Sequence, residues 1–175
     1  PGGARWAWPV VALVTANPQP EYGAAARHDR VHETIRGFLA TRPLAVSEVD
    51  TRVDPALTDQ RASGQVAGRL AAADVVVTTR LHGLVIGLRH GTPVLALDPI
   101  AGGAKVAAQA AALGWPAVIV PERLDTPALE QWLDFCLSPA AASAVARSRR
   151  RGASGLTTVE GRLLSALEVG SAESA

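Results

Sequence analysis

Short β-branched runs alternate with longer stretches at helical spacing along most of this chain. Val10–Thr15 reads as a first buried strand, broken by Asn17-Pro18-Gln19-Pro20. Arg27–Thr41 follows with Val31, Ile35, Phe38 and Leu39 on one helical face, ending before Pro43. Leu44–Val49 alternates as a second strand, and Gln60–Ala73 is a helix with Val66, Leu70 and Ala73 aligned. Asp74–Thr79 is a third, fully buried strand, and Leu81–His90 is a helix stopped by Gly91. Pro93–Leu97 is a fourth strand, Gly103–Leu113 an alanine-rich helix ended by Gly114, and Ala117–Val120 a fifth strand. Three helices close the pattern, at Pro127–Leu137, Pro139–Arg151 and Leu156–Leu167.

This alternation predicts an α/β fold, a Rossmann-like parallel sheet with helices on both faces. One such domain spans residues 1–170, and 171–175 form a frayed tail. Ligands of these domains sit at the carboxyl ends of the strands, so the strand-to-helix turns are the places to search.

Composition narrows the classes. Seventeen basic residues against 16 acidic leave a net charge of +1, with no electrostatic reason to expect nucleic acid or a membrane surface. One cysteine, Cys136, excludes an internal disulfide framework. No apolar run approaches the roughly 20 residues of a membrane helix. Methionine is absent, so Pro1 is no translation start, and the chain reads as a fragment or a processed product. Arg5 followed by the apolar Trp6–Val14 faintly suggests an export signal, but Pro9 heading a five-residue Val/Ala/Leu run favours a strand. All the basic residues but Lys105 are arginine, which singles that lysine out.

The turn Thr15–Ala26 lacks both the dinucleotide-binding Gly-x-Gly-x-x-Gly and the phosphate loop Gly-x-x-x-x-Gly-Lys-Ser/Thr. Asp50, ending the second strand, is therefore a loop residue rather than a ribose-binding acid. The strongest signal is Val77-Thr78-Thr79-Arg80-Leu81-His82-Gly83, where a buried strand gives way to a helix. Free backbone N–H groups and the helix dipole favour an anion there. Arg80 adds a planar fork for carboxylate or phosphate, His82 a group that exchanges protons near neutral pH, and Gly83 and Gly87 allow close approach. The bland alternative has Arg80 capping a neighbouring carboxylate and His82 hydrogen-bonded in the core.

The next turn, Asp98–Lys105, carries Gly102-Gly103 and the lysine to the same sheet edge. His28 and His32 share a helix face one residue short of a zinc signature, but Asp29 replaces the glutamate and no third ligand follows. They read as solvated first-turn residues. His90 is structural at a helix C-terminus, and Arg147–Arg151 is a solvated basic face.

The stretch Ala73–Ala117, with Asp74-Val75-Val76-Val77-Thr78-Thr79-Arg80-Leu81-His82-Gly83, then Gly91-Thr92-Pro93 entering the next strand, and then Lys105, resembles the polysaccharide pyruvyl transferase family. The resemblance implies the C-terminal, donor-side half of a larger enzyme similar to GT-B-type two-domain transferases. Such enzymes transfer the enolpyruvyl unit of phosphoenolpyruvate to a sugar of a cell-surface polysaccharide, releasing phosphate. Carried over, Arg80 and His82 are the catalytic pair, with His82 as general acid/base. Arg80, Leu81, His82, Gly83 and Lys105 bind phosphoenolpyruvate, and neither a cofactor nor a metal is implied.

The implied partners are phosphoenolpyruvate, a sugar acceptor and a missing N-terminal domain, in a bacterial cytoplasmic setting. The family's further arginine near the end of the first strand has no counterpart in Leu13-Val14-Thr15-Ala16-Asn17, and only Arg27 or Arg30 could substitute. A second reading is the nucleotide-sugar-binding domain of a GT-B glycosyltransferase, which would use Glu122 or Asp125 for ribose hydroxyls. A third is a non-catalytic module that kept the fold.

Overall fold

A computed structural model describes residues 8–18, 20–51 and 59–172 of the chain. The strands are β1 (Val10–Val14), β2 (Ala45–Glu48), β3 (Val75–Thr78), β4 (Val94–Leu97) and β5 (Val118–Ile119). The helices are α1 (His28–Ala40), α2 (Asp59–Ala71), α3 (Leu81–His90), α4 (Lys105–Leu113), α5 (Thr126–Leu137) and α6 (Pro139–Ala172). Short 3-10 turns occupy Pro20–Ala25 and Pro121–Arg123.

All pairings are parallel and the strand order is β2-β1-β3-β4-β5. This is the expected α/β sheet. The chain steps from β1 outward to β2, then returns across β1 to β3, so the winding direction reverses between β1 and β3. At such a switch point the loops leaving adjacent strands diverge and open a crevice.

Burial explains which runs became central. Val11–Val14, Val75–Thr78 and Val94–Leu97 are buried throughout, as a sheet covered on both faces requires. Helices α2, α3 and α4 touch in sequence, with α3 against β3 and β4, and α4 against β4 and β5. Right-handed crossover assigns α1 to the other face, where Arg42 just beyond it ion-pairs with Glu130 of α5. Helix α1 buries Val31, Ile35, Phe38 and Leu39.

Several boundaries differ from the sequence reading. β2 pairs only with β1 and its four residues are all exposed, because an edge strand lacks a second neighbour. Helix α4 starts at Lys105 rather than Gly103, because Gly102 and Gly103 take φ of 78° and 81°, outside the helical region. The two expected C-terminal helices form one, α6, since Gly152 seats beside Leu113 and the Ser154 hydroxyl bonds back to the Arg150 carbonyl at 3.0 Å. That helix reaches Ala172, and residues 173–175 of the expected frayed tail lie outside the described residues, as do Arg5-Trp6-Ala7 of the weighed export signal. Among the described residues, no helix is long and apolar enough to cross a membrane.

Candidate functional site

The crevice at the switch point is a cleft of about 430 Å³. The carboxyl ends of β1, β3 and β4 form it, through Ala16-Asn17-Pro18, Thr79–His82 and Asp98–Ile100. Tyr22, His28, Ala104, Lys105 and Val106 complete its lining.

The wall after β3 is fixed by two threonines. The Thr78 hydroxyl accepts the Arg80 N–H at 2.9 Å and lies 3.0 Å from the Val14 carbonyl, locking the end of β3 to β1. The Thr79 hydroxyl accepts the Ala16 N–H at 2.9 Å and pairs with His32 Nε2 at 2.9 Å. Helix α3 then rises from Arg80, whose backbone is extended (φ −117°, ψ 134°) and whose side chain caps nothing. A methyl group at Gly83 would fall 2.3 Å from the Thr78 hydroxyl, and one at Gly87 2.7 Å from Val94. The glycines therefore serve the close approach of helix and sheet.

The first intrahelical bond of α3 runs from Leu84 N–H to the Arg80 carbonyl, so the N–H groups of Leu81, His82 and Gly83 have no acceptor within the helix. Leu81 and exposed His82 belong to the cleft wall with Arg80. Asp50 lies in a loop, as expected, and Arg80 Nη1 stands 3.5 Å from its carboxylate, so Arg80 does meet the neighbouring carboxylate of the bland alternative.

The wall after β4 is organised by Asp98, which is 1% exposed. One of its oxygens accepts the Ile100 N–H at 3.1 Å, and the other those of Ala104 and Ala107 at 2.6 and 2.9 Å. This carboxylate shapes the glycine turn and caps α4, leaving Lys105 at the first position of that helix with its ammonium 5.7 Å from the Tyr22 ring centroid. Tyr22 is brought there by a cross-connection between loops. Ala26 bridges Ile100, the Arg27 N–H donates to the Pro99 carbonyl at 2.8 Å, and the Ala101 N–H to Ala25 at 2.9 Å.

The sequence candidates Arg80, Leu81, His82 and Lys105 thus share one cleft, and Gly83 sits buried behind it. The substitutes for a second donor arginine do not join them. Arg27 turns back onto the carbonyls of Ala24 and Ala26, and neither it nor Arg30 lines the cleft. Glu122 holds the Gly102 N–H at 2.9 Å and Asp125 caps α5 at 2.8 Å, so the two acids of the nucleotide-sugar reading are occupied elsewhere.

The histidines of α1 require a correction. Neither is a solvated first-turn residue. His28 is 3% exposed and lines the cleft, and half-buried His32 is bound to Thr79. Burial is the main cause pushing both imidazole pKa values down, opposed at His28 by Asp29 and Asp98. Among the described residues, no group of three His, Cys, Asp or Glu side chains could hold a metal ion. The i, i+4 spacing was the only sequence signal at His28, and it carries no information about burial.

Residues 59–99 match the polysaccharide pyruvyl transferase family. The matched segment runs from α2 through β3, α3 and β4, so it contains the Arg80-Leu81-His82 turn and stops before Lys105. The segment similar to that family includes Thr79, Arg80, Leu81, His82, Asp98 and Pro99 of the cleft lining. A solved structure described as a crystal structure analysis of the glycotransferase of kitacinnamycin is similar with a TM-score of 0.49 and 20% identity. The similarity covers 86% of this chain and 43% of that one, so this chain spans less than half of that protein's length. No curated protein matches.

Proposed function

We propose that this chain is the donor-binding domain of a polysaccharide pyruvyl transferase, acting on phosphoenolpyruvate and a sugar hydroxyl. The observation that carries the reading is the convergence of Arg80, His82 and Lys105 on one cleft at the switch point, within and beside the segment that matches the family. In this reading the Arg80 fork and the uncapped start of α3 bind one anionic end of the donor, and Lys105 the other.

His82, exposed to the cleft, delivers a proton to the methylene carbon of phosphoenolpyruvate, and positive charge develops on the adjacent carbon. The sugar oxygen bonds to that carbon as its own proton passes to a base. Cleavage of the bond between that carbon and the phosphate ester oxygen releases phosphate with the bonding electrons, and a second hydroxyl, giving its proton to a base, bonds to the same carbon where a ketal is formed. A placed histidine supplies typically 10²–10⁴-fold in such proton transfers, and the cations stabilise the departing phosphate.

The acceptor is held by a further domain, so the 175-residue chain binds donor without turnover. The setting that goes with this reading is the cytoplasm of a bacterium building its cell envelope.

Thermal denaturation tests the reading. Phosphoenolpyruvate at 100 times its dissociation constant adds about 2.7 kcal/mol, a rise of about 5–10 °C for a chain of this size. The rise disappears in Arg80→Ala and persists in His82→Ala. Stabilisation by a nucleotide diphosphate sugar and none by phosphoenolpyruvate would replace this reading with the glycosyltransferase one.

A further inference from the structure

His28 opens α1 inside the cleft wall. It is 3% exposed, yet neither Nδ1 nor Nε2 has a hydrogen-bond partner. A buried polar group left unpaired costs about 1–3 kcal/mol, and native structures rarely leave one without a reason. In this structure its neighbours bond elsewhere. Both Asp98 oxygens are taken by backbone N–H groups, and the nearby His32 ring, 6.0 Å away centre to centre, is bound through Nε2 to Thr79. The cleft that His28 lines gives a partner from outside access to it.

The surroundings define that partner's chemistry. Helix α1 is uncapped, because its N-cap residue is Arg27, whose guanidinium only donates, here to the carbonyls of Ala24 and Ala26. Its first intrahelical bond is from the Val31 N–H to the Arg27 carbonyl, so the N–H groups of His28, Asp29 and Arg30 lack helical acceptors. The uncapped start of α3, Arg80 and Lys105 complete a lining whose fixed partial and full charges favour an anion. Burial keeps the imidazole neutral, so the ring contributes one directional N–H and no charge.

We propose that His28 is a ligand-binding residue of this cleft, donating its ring N–H to an oxygen of a bound oxyanion, phosphate or carboxylate, opposite Arg80. The inference rests on the cleft being the donor site and adds to it a contact from α1. Arg80 and Lys105 supply the charge, and His28 fixes where one oxygen must lie.

The test uses the 175-residue chain with ¹⁵N-labelled histidine and three probes: inorganic phosphate, pyruvate and phosphoenolpyruvate. The His28 ring ¹⁵N resonances move on saturation with phosphoenolpyruvate. Movement with phosphate alone assigns His28 to the phosphoryl end, and movement with pyruvate alone to the carboxylate end. In His28→Leu, phosphoenolpyruvate binds about 10-fold or more weakly, while the melting temperature of the free protein holds or rises because the orphaned nitrogens are gone. His28→Gln, which retains a side-chain N–H, recovers most of the affinity.

A His28→Leu protein that melts lower and binds within 2-fold of wild type would make His28 a packing residue and overturn the inference. Arg80-dependent binding with unmoved His28 resonances would also overturn it, while leaving the donor reading intact. Wild-type protein that binds none of the probes would remove both. Should His28→Leu fail to fold, the wild-type resonances decide alone.

Discussion

Helices α3 and α5 start in opposite ways. Helix α5 begins at Asp125, whose carboxylate accepts the Ala128 N–H at 2.8 Å, and it has no part in the cleft. Helix α3 begins at Arg80, which caps nothing, and Leu81 and His82 of its first turn belong to the cleft wall with Arg80. The first arrangement satisfies the helix within the fold. The second leaves donors for something that arrives from outside, and α1 begins the same way behind His28. On the proposed reading, the uncapped starts of α3 and α1 inside the cleft are the ones that meet ligand, and the capped start of α5 outside it is structural.

The largest effect comes from disturbing how α3 is seated. In Gly83→Ala the new methyl group meets the Thr78 hydroxyl at 2.3 Å, and that hydroxyl also holds the Arg80 N–H and faces the Val14 carbonyl. Overpacking costs about 1–3 kcal/mol, and loss of the threonine bonds adds to it. The gain of up to about 1 kcal/mol from replacing a helical glycine offsets only part. A net loss of about 2 kcal/mol, read as a melting temperature about 4–8 °C lower, is expected. An unchanged melting temperature would mean that α3 can slide on the sheet.

The start of α1 is probed by pH. His28 and His32 both have folded pKa values below their ordinary value of 6.5, with burial as the largest cause. As pH falls through 6.5 the unfolded chain takes up protons that the folded one refuses, so stability present above 6.5 is lost on acidification. The slope reaches at most about 1.4 kcal/mol per pH unit for each histidine. Melting curves between pH 7.5 and 5.5, above the usual carboxylate range, should show the decline, and His28→Leu should make it shallower, leaving the part due to His32. A flat wild-type profile would place both rings in water.

These two helix starts were unequally legible in the sequence. The α3 start is local, since Thr78, Arg80, His82 and Gly83 lie in one short run whose strand-to-helix change already fixes their relation. Lys105 followed because parallel strands bring successive turns to one edge. Nothing local hides His28. Its burial accompanies the tie between Ala26 and Ile100, which draws the loop after β1 against the loop after β4. The same tie brings Tyr22 to Lys105. Asp98 was read as part of a turn, but its three N–H contacts depend on the left-handed Gly102 and Gly103 curling the chain around it. Strand and helix types were readable from periodicity, whereas the β2 edge and the unbroken α6 depended on what lies beside them.

The cap contrast can be tested within α3. Arg80→Ser and Arg80→Ala both remove the guanidinium, and both should lose stabilisation by phosphoenolpyruvate. Only serine can accept an N–H from the first turn, and the extended backbone at this position suits that role. The serine variant should be more stable by about 1 kcal/mol, or about 2–4 °C. The Asp50 pair, half exposed on the acid side, is lost in both and cancels. Equal melting temperatures would mean that these N–H groups already have partners in the free protein.

The smallest effect completes the contrast from the other helix. Asp125→Ala removes a cap that is solvent-exposed, so water can partly replace it, and the loss should fall at the lower end of the range typical of such caps, about 0.5 kcal/mol. Its ligand response should be unaltered, because neither Asp125 nor the start of α5 lines the cleft. The two helix starts then separate along different axes, since a cap removed at α5 costs stability alone and a cap added at α3 raises stability without restoring binding. A weakened phosphoenolpyruvate response in Asp125→Ala would break that separation. It would show that the turn from Glu122 to Asp125, which holds Gly102 through Glu122, controls the glycine turn before Lys105 and so reaches the cleft from outside.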